Sequence, residues 1–186
     1  MKRNWTGTRY RNGDRIPQVT DPAQWGALTT GAWCWYNNDS AKGRIYGKLY
    51  NWYAVNDPRG LAPAGWHIPS DAEWTILSNY LGQEGVAGGN LKATGTVEAG
   101  TGLWRAPNTG ATNSSGFTAL PGSKRLSDGN FYSVYSIGYS GCWWSSTEAL
   151  IPANRAYYRE IYYGYALIGS GNDLYQAGLS VRCIRD

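Results

Sequence analysis

Tryptophan is absent from the last part of the chain, and this distribution strongly constrains the fold. All 10 tryptophans lie at or before Trp144, and the chain has only two phenylalanines and one methionine. A chain of 186 residues is long enough to bury one sizeable core, and indoles are the largest rings available to fill it. The sequence therefore predicts a core built largely from tryptophans, among them Trp33, Trp35, Trp52, Trp66, Trp74 and Trp104.

Two segments carry the signals of a helix N-terminus. In TDPAQWGAL, Asp21 is a suitable N-cap and Pro22 fits the first helical position. In PSDAEWTILSNYLG, Ser70 and Glu73 have the spacing of a capping box, and Gly82 is suited to end the helix. The sequence therefore predicts two short helices in the first half of the chain.

Strand signals dominate the rest. Asn12-Gly13 and Asp128-Gly129 each lie between strand-like runs and predict hairpins with type I′ turns. Residues 82–116 show little periodicity and predict ordered loops. The strand candidates are residues 32–36, 44–55, 131–139, 140–147, 156–165 and 178–186. We therefore expect one α+β domain over residues 1–186, with two short helices, a late antiparallel sheet and long ordered loops.

Composition disfavours several functional classes. The net charge is +4, but the basic residues are scattered, so no nucleic-acid partner is predicted. No apolar stretch approaches the length of a membrane span, and no apolar segment near the start indicates a signal peptide. The compartment stays open between cytoplasmic, particle-associated and exported. The cysteines lack CxxC spacing; Cys142 and Cys183 either form a bridge or remain buried thiols, and thiols are favoured.

No catalytic or metal-binding constellation is visible. His67 is the only histidine, and a hydrogen-bonded role before the second helix explains it. Asp71 and Glu73 are explained by the start of that helix. The sequence contains no nucleophile elbow, phosphate-binding loop or zinc spacing. We therefore expect a non-enzymatic protein with no catalytic residue, cofactor or metal.

A tyrosine-rich segment, residues 156–178, precedes the C-terminus. It mixes tyrosine with Gly, Ser, Asn and Asp, a combination typical of binding loops; its tyrosines are Tyr157, Tyr158, Tyr162, Tyr163, Tyr165 and Tyr175. Alternatively, the rings simply cover a sheet face. We expect a binding surface in which residues 169–173 form an exposed polar loop. Under this interpretation Tyr162, Tyr165 and Tyr175 are largely accessible to solvent.

Several blocks occur in an order that resembles a known family. They are YGKLYNWYAV, LAPAGWHIPSDAEW, AGGNLKATGT, NTGATNSSGFTALPG, CWWSSTE and GLSVRCIRD. Residues 5–186 resemble the Fibrobacter succinogenes major paralogous domain family, which implies a C-type lectin-like fold. The resemblance extends to the variable proteins of diversity-generating retroelements, whose C-terminal segment is rewritten at adenines in Asn codons.

This second likeness implies a set of ligand-binding positions. The exchangeable positions are Tyr162, Gly164, Tyr165, Leu167, Gly169, Gly171, Asn172, Asp173, Leu174 and Ala177, flanked by Tyr157 and Tyr158 and joined by the nearby Tyr175. An AAC codon changed only at its adenines cannot encode Lys, Glu, Gln, Met or Trp. Residues 149–175 contain one residue of these five types, Glu160, in agreement with such exchange.

The resemblance leaves two binding functions open. The first is a recognition domain for a protein or cell-surface ligand, and the second is a carbohydrate-binding module that uses exposed Tyr and Trp rings. The calcium-and-sugar motifs of animal lectins are absent, so calcium-dependent sugar binding is not expected. Family members often carry a cysteine where this chain has Ala62. The resemblance implies that it pairs with the counterpart of Cys183, a bridge that Ala62 excludes here.

Overall fold

A computed structural model describes residues 3–131 and 136–186. The described chain combines short helices with small antiparallel sheets. In order it forms α1 (Pro22–Gly26), β1 (Trp33–Cys34), a 3₁₀ turn (Tyr36–Asn38), α2 (Ser40–Tyr46), β2 (Leu49–Tyr50), α3 (Trp52–Val55), β3 (Trp66–His67), α4 (Asp71–Tyr80), α5 (Glu84–Leu91), β4 (Ser140–Ala149), β5 (Arg155–Tyr162), β6 (Ile168–Leu174) and β7 (Ile184–Arg185).

The largest described sheet is antiparallel and has the strand order β4-β5-β6. Its register places Trp143 opposite Arg159, and Tyr158 opposite Gly171. β1 pairs with β2 and β3 pairs with β7 as two-stranded antiparallel ladders. The late antiparallel sheet predicted from the sequence is therefore present, with β6 at its edge.

The two predicted helices form where the capping signals place them. The Asp21 carboxylate accepts from the backbone N–H of Gln24 at 2.8 Å at the start of α1. Both halves of the Ser70–Glu73 capping box are present at the start of α4. The three other helices were not predicted, and α5 lies within residues 82–116, where only ordered loops were expected. The strand proposed for residues 44–55 is confirmed only at β2, because α2 and α3 occupy its two ends. Asp39 and Asn51 cap α2 and α3 there, and these caps outweigh the strand preference of the aromatic residues.

Both predicted hairpin turns exist, but they are not type I′. At the first, the Tyr10 N–H donates to the Asp14 carbonyl at 2.9 Å, and Gly13 has a φ of 96°. Asn12 is not among the residues with positive φ, which a type I′ turn would require. The loop therefore has the three-residue form in which only the last residue is left-handed, as does the loop that ends at Gly129. Residues 132–135 of the predicted strand 131–139 lie outside the described residues.

Indoles fill the interior on both faces of the large sheet, as predicted. One face packs on a cluster that includes Trp33, Trp52 and Trp144. The other face packs against α4 and α5 through Trp74, Trp104 and Trp143. Trp35 and Trp66 are half-buried and flank the first cluster. Cys34, Cys142 and Cys183 are buried thiols rather than disulfide partners, as favoured from the sequence.

Candidate ligand-binding surface

The loop between β5 and β6 carries the most exposed tyrosine of the predicted segment. We call residues 162–167 the tyrosine turn. The side chain of Tyr165 is 59% exposed and that of Leu167 is 41% exposed, whereas Tyr162 is half-buried. Gly164 lies between the two tyrosines, and a Cβ built on it would meet only the Tyr162 ring, at an ordinary distance of 3.7 Å. The turn therefore presents side chains to solvent and has room for another at position 164.

The phenol rings of the turn contact one another. Tyr162 lies 4.7 Å from Tyr163 and 5.9 Å from Tyr165 between ring centroids, and its plane is tilted 30° from that of Tyr165. Tyr163 in turn makes an edge-to-face contact with Tyr139 at 5.3 Å. Partial burial and the neighbouring Tyr163 hydroxyl raise the pKa of Tyr162. The rings of Tyr162 and Tyr165 thus form a continuous aromatic surface supported by Tyr163.

A buried lysine fixes the backbone of this turn. The Lys92 ammonium donates to the carbonyl oxygens of Tyr165 at 2.9 Å, Tyr162 at 3.3 Å and Tyr163 at 3.5 Å. Lys92 follows directly on α5 and is fully buried. Its burial lowers its pKa to about 8. Three carbonyl groups of one turn are therefore held by a single side chain of the scaffold.

Backbone groups complete the anchoring. The Gly89 N–H of α5 donates to the Ala166 carbonyl at 2.8 Å, and the Thr109 N–H donates to the Tyr163 carbonyl at 2.9 Å. Gly88 lies so close to the Leu167 carbonyl that a Cβ there would collide with it. A glycine is needed at that position because the turn packs directly on the helix backbone. These contacts involve the main chain of the turn and not its side chains.

Sequence reasoning did not identify Lys92, Gly88 or Gly89 as functional. Lys92 is one of the scattered basic residues of the chain. The one signal in the sequence is its position between Leu91 and Ala93, where an isolated charge directly follows the apolar end of a segment. The glycine pair carried no signal of its own, because glycines are frequent throughout the chain.

Residues 169–173 form part of strand β6, so the prediction of an exposed polar loop there is wrong. Gly171 pairs with Tyr158, and a Cβ on it would come within 2.9 Å of that phenol ring. Gly169 has more room, with its nearest neighbours 3.8 Å away. The strand forms because β5 offers a complete hydrogen-bonding partner, which overrides the low strand preference of Gly, Asn and Asp.

Asp173 belongs to a buried ion pair. Its carboxylate lies 3.0 Å from the Lys124 ammonium, and the two side chains are only 19% and 9% exposed. The same ammonium lies 5.2 Å from the centre of the Tyr158 ring. The Asp173 carboxylate is therefore engaged by the scaffold in the structure described.

The end of the large sheet opposite the tyrosine turn carries a second group of the predicted ligand-binding residues. Tyr157 pairs with Asn172, and Leu174 pairs with Arg155; all four are half-buried. At a rise of about 3.4 Å per residue, Tyr157 lies roughly 17 Å from Tyr162 along β5. The adjoining loop exposes two apolar side chains, Leu150 and Ile151, at 85% and 87%. The predicted residues therefore do not form one patch.

Tyr175 and Ala177 are buried, which contradicts the expectation of accessibility for Tyr175 and of an exchangeable surface position at residue 177. Tyr175 is 8% exposed, stacks on Trp52 at 4.5 Å, and donates its hydroxyl to the Glu148 carboxylate. Its carbonyl accepts from the Trp52 N–H at 2.8 Å. After β6 the chain turns inward beside α3, and Ala177 is completely buried in the same cluster.

His67 contacts two carboxylates among the described residues. Its Nδ1 lies 2.7 Å from Asp186 Oδ1 and its Nε2 lies 2.9 Å from Glu73 Oε1. The Asp186 and Glu73 carboxylates raise its pKa. Across residues 3–131 and 136–186, no group of three or more His, Cys, Asp or Glu side chains is placed to hold a metal ion.

No helix in the part of the chain that the structure describes is long and apolar enough to span a bilayer.

Comparison with known protein families gives a match over almost the whole chain. No curated protein and no solved structure matches the chain significantly. The profile of the Fibrobacter succinogenes major domain matches residues 1–185, almost the entire sequence. The chain therefore belongs to the Fibrobacter succinogenes major domain family.

Proposed function

We propose that this chain is a non-catalytic recognition domain that binds a protein or cell-surface ligand through the tyrosine turn. One observation carries the proposal: the scaffold holds the turn through its carbonyl groups, while Tyr165 and Leu167 remain exposed and Tyr162 is half-buried. Tyrosine rings on a fixed backbone give contact area at little cost in conformational entropy.

In this proposal the turn belongs to a C-type lectin-like domain and is the diversified segment of a retroelement variable protein. Main-chain anchoring supports this, because a surface whose side chains are exchanged must keep its shape without them. Position 164 has room for a side chain, and its φ lies outside the left-handed region. Within the turn, none of the residues is of the five types that adenine exchange in AAC excludes.

Binding of the fluorescently labelled protein to a panel of bacterial cells tests the recognition function. The Tyr162→Ala/Tyr165→Ala variant is expected to lose binding, because interface aromatic residues carry much of the binding energy. Tyr80→Ala is the matched control, since Tyr80 is 85% exposed on α4 and outside the turn. Equal binding by the double variant and the unchanged protein contradicts the proposed site.

Sequencing the DNA that flanks the gene tests the diversification hypothesis separately. The expected finding is a near-copy of the segment encoding residues 157–177, differing only at adenines and adjacent to a reverse-transcriptase gene. Its absence removes diversification and leaves the recognition function to be decided by the cell-binding experiment.

A carbohydrate is the second candidate ligand for the same turn. The Tyr162 and Tyr165 rings favour it, because their centroids lie 5.9 Å apart and their planes are tilted by 30°, so that both rings can contact one sugar ligand. A glycan array separates the two functions. Binding to a neutral glycan that Tyr165→Ala abolishes identifies the turn as a sugar site.

A further inference from the structure

A separate groove lies between the N-terminal segment and α2. Its volume is about 960 Å³, within the size range of ligand-binding clefts. Its walls include Trp5 and Trp35, and its rim includes the 52% exposed Ile45. None of its lining residues comes from the predicted binding segment 149–177. The groove is therefore a different site from the tyrosine turn.

The described residues that line this groove include three cationic side chains and no carboxylate. They are Arg3, Arg44 and Lys48. Arg3 and Arg44 are exposed, and neither forms an ion pair within the described chain. Arginine guanidinium groups recognise carboxylate and sulfate oxygens through paired hydrogen bonds. The charge of the lining therefore fits an anionic ligand.

Lys48 gives a second, independent indication of an anionic ligand. Its side chain is buried, with only 4% of the residue exposed, and the ammonium lies 4.1 Å and 4.9 Å from the ring centres of Trp33 and Trp35. It donates to the Thr6 carbonyl and has no carboxylate partner among the residues described. Burial of a charge is unfavourable without a counter-ion, and it lowers the pKa of Lys48 to about 8. An anion bound in the groove would supply that counter-charge.

The indoles add a flat apolar surface beside these charges. Trp5 and Trp35 are both half-buried, so part of each ring system remains accessible. Gly43 of α2 lies against the Trp35 ring, where a Cβ would collide with it. Trp35 also makes an edge-to-face contact with Trp33 at 5.0 Å. The helix and the neighbouring indole thus hold this ring in place beside the ammonium of Lys48.

We propose that the groove bounded by Trp5, Trp35, Arg3, Arg44 and Lys48 binds an acidic oligosaccharide. The C–H face of a sugar ring packs on an indole, while its carboxylate or sulfate group bonds the arginines and approaches Lys48. A volume of about 960 Å³ is larger than a single inorganic anion requires. Nucleic acid is a poorer fit, because only three cations among the described residues line the groove and the basic residues elsewhere are scattered.

Isothermal titration calorimetry with the full chain tests this site. The acidic probes are a galacturonic acid tetrasaccharide and a heparin tetrasaccharide, which distinguish carboxylate from sulfate. The comparison probes are maltotetraose, AMP and sodium sulfate. Binding of at least one acidic tetrasaccharide, with none of maltotetraose, supports the proposal. It is overturned if neither acidic sugar binds, if maltotetraose binds equally well, if AMP binds comparably, or if sulfate alone binds as tightly.

Variants locate the site. Arg44→Ala is expected to weaken binding of the acidic sugar about tenfold, since a hydrogen bond to a charged group is lost. Lys48→Met keeps the aliphatic chain, removes the charge and is expected to weaken binding similarly. Arg185→Ala is the control, because Arg185 is exposed and does not line the groove. If Lys48→Met does not fold, Arg44→Ala alone decides, and unchanged affinity in Arg44→Ala overturns the assignment.

Tyr162→Ala/Tyr165→Ala is expected to bind the acidic sugar normally. Failure of the groove or of the tyrosine turn as a binding site therefore leaves the other site testable.

Discussion

The ammonium group of Lys92 lies 2.9 Å from the carbonyl oxygen of Tyr165, so the most exposed tyrosine of the tyrosine turn is held by the core. The contact runs from a fully buried side chain to a backbone atom. The side chain at position 165 takes no part in it. The proposed recognition surface rests on this relationship.

Replacement of Lys92 by methionine is expected to loosen the tyrosine turn. The variant removes the donor shared by three carbonyl groups and lowers the free energy of unfolding by about 1–3 kcal/mol. Hydrogen–deuterium exchange should become faster at the Tyr163 and Tyr165 amides. Lys48→Met is the matched control, because Lys48 is also buried but does not contact the turn. Unchanged exchange at both amides in Lys92→Met contradicts the anchoring role.

Truncation of two tyrosines of the segment is expected to change stability to very different extents. Tyr175→Ala removes a ring stacked on Trp52 and lowers the free energy of unfolding by about 3–5 kcal/mol. Tyr165→Ala alters an exposed ring and changes it by only about 0.5 kcal/mol. Urea unfolding monitored by circular dichroism measures both. Similar losses for the two variants would show that the burial assigned to Tyr175 is wrong.

The ion pair between Asp173 and Lys124 is expected to restrict which residues can replace Asp173. Asp173→Ala leaves the nearly buried Lys124 ammonium without this carboxylate and lowers the free energy of unfolding by about 2–4 kcal/mol. Ser170→Ala, on the exposed part of the same strand, should change it by no more than about 0.5 kcal/mol. A stability of Asp173→Ala equal to that of Ser170→Ala would show that the pair contributes nothing.

The contribution of His67 to the free energy of unfolding is expected to decrease as the pH rises. The Asp186 and Glu73 carboxylates raise its pKa above the usual 6.5 in the folded chain. The folded state therefore binds more protons than the unfolded state near neutral pH, so the contribution is complete below pH 6.5 and is lost as the pH rises through the folded pKa. The side chain is 40% exposed, so the effect is less than about 1 kcal/mol.

Urea unfolding of the unchanged protein and of His67→Gln, at about six pH values from roughly 5.5 to 8.5, measures this contribution. The difference in free energy between the two proteins should be largest at the acidic end and shrink with rising pH. A difference that is constant, or that grows with pH, contradicts the assignment of the two carboxylates as partners of a charged His67.

The elements that sequence reasoning located have strong local signals. The Ser70–Glu73 capping box and the Asp21 N-cap each satisfy backbone N–H groups within one turn, so the nearest residues suffice to specify them. The strands of residues 140–149 and 155–162 carry enough aromatic and branched residues to be recognised. The hairpin loops were placed correctly for the same reason, although their turn type was not.

The features that sequence reasoning missed depend on partners distant along the chain. β6 is rich in Gly, Asn and Asp and is a strand only because β5 is there to pair with it. Tyr175 is buried because α3, more than 100 residues earlier, provides Trp52 as its stacking partner. Lys92 acts on carbonyls that follow it by about 70 positions. No local pattern of residues encodes such contacts.

The stability of a chain with four changed side chains in the tyrosine turn tests most directly whether the scaffold holds this turn by its backbone. The variant Tyr162→Ser/Gly164→Asn/Tyr165→Asn/Leu167→Ser keeps Lys92, Gly88 and Gly89 intact. Because the anchors contact only the backbone of the turn, its free energy of unfolding in urea should lie within about 2 kcal/mol of the unchanged protein. A loss of more than about 4 kcal/mol, or failure to fold, would contradict the claim that the scaffold holds this surface independently of its side chains.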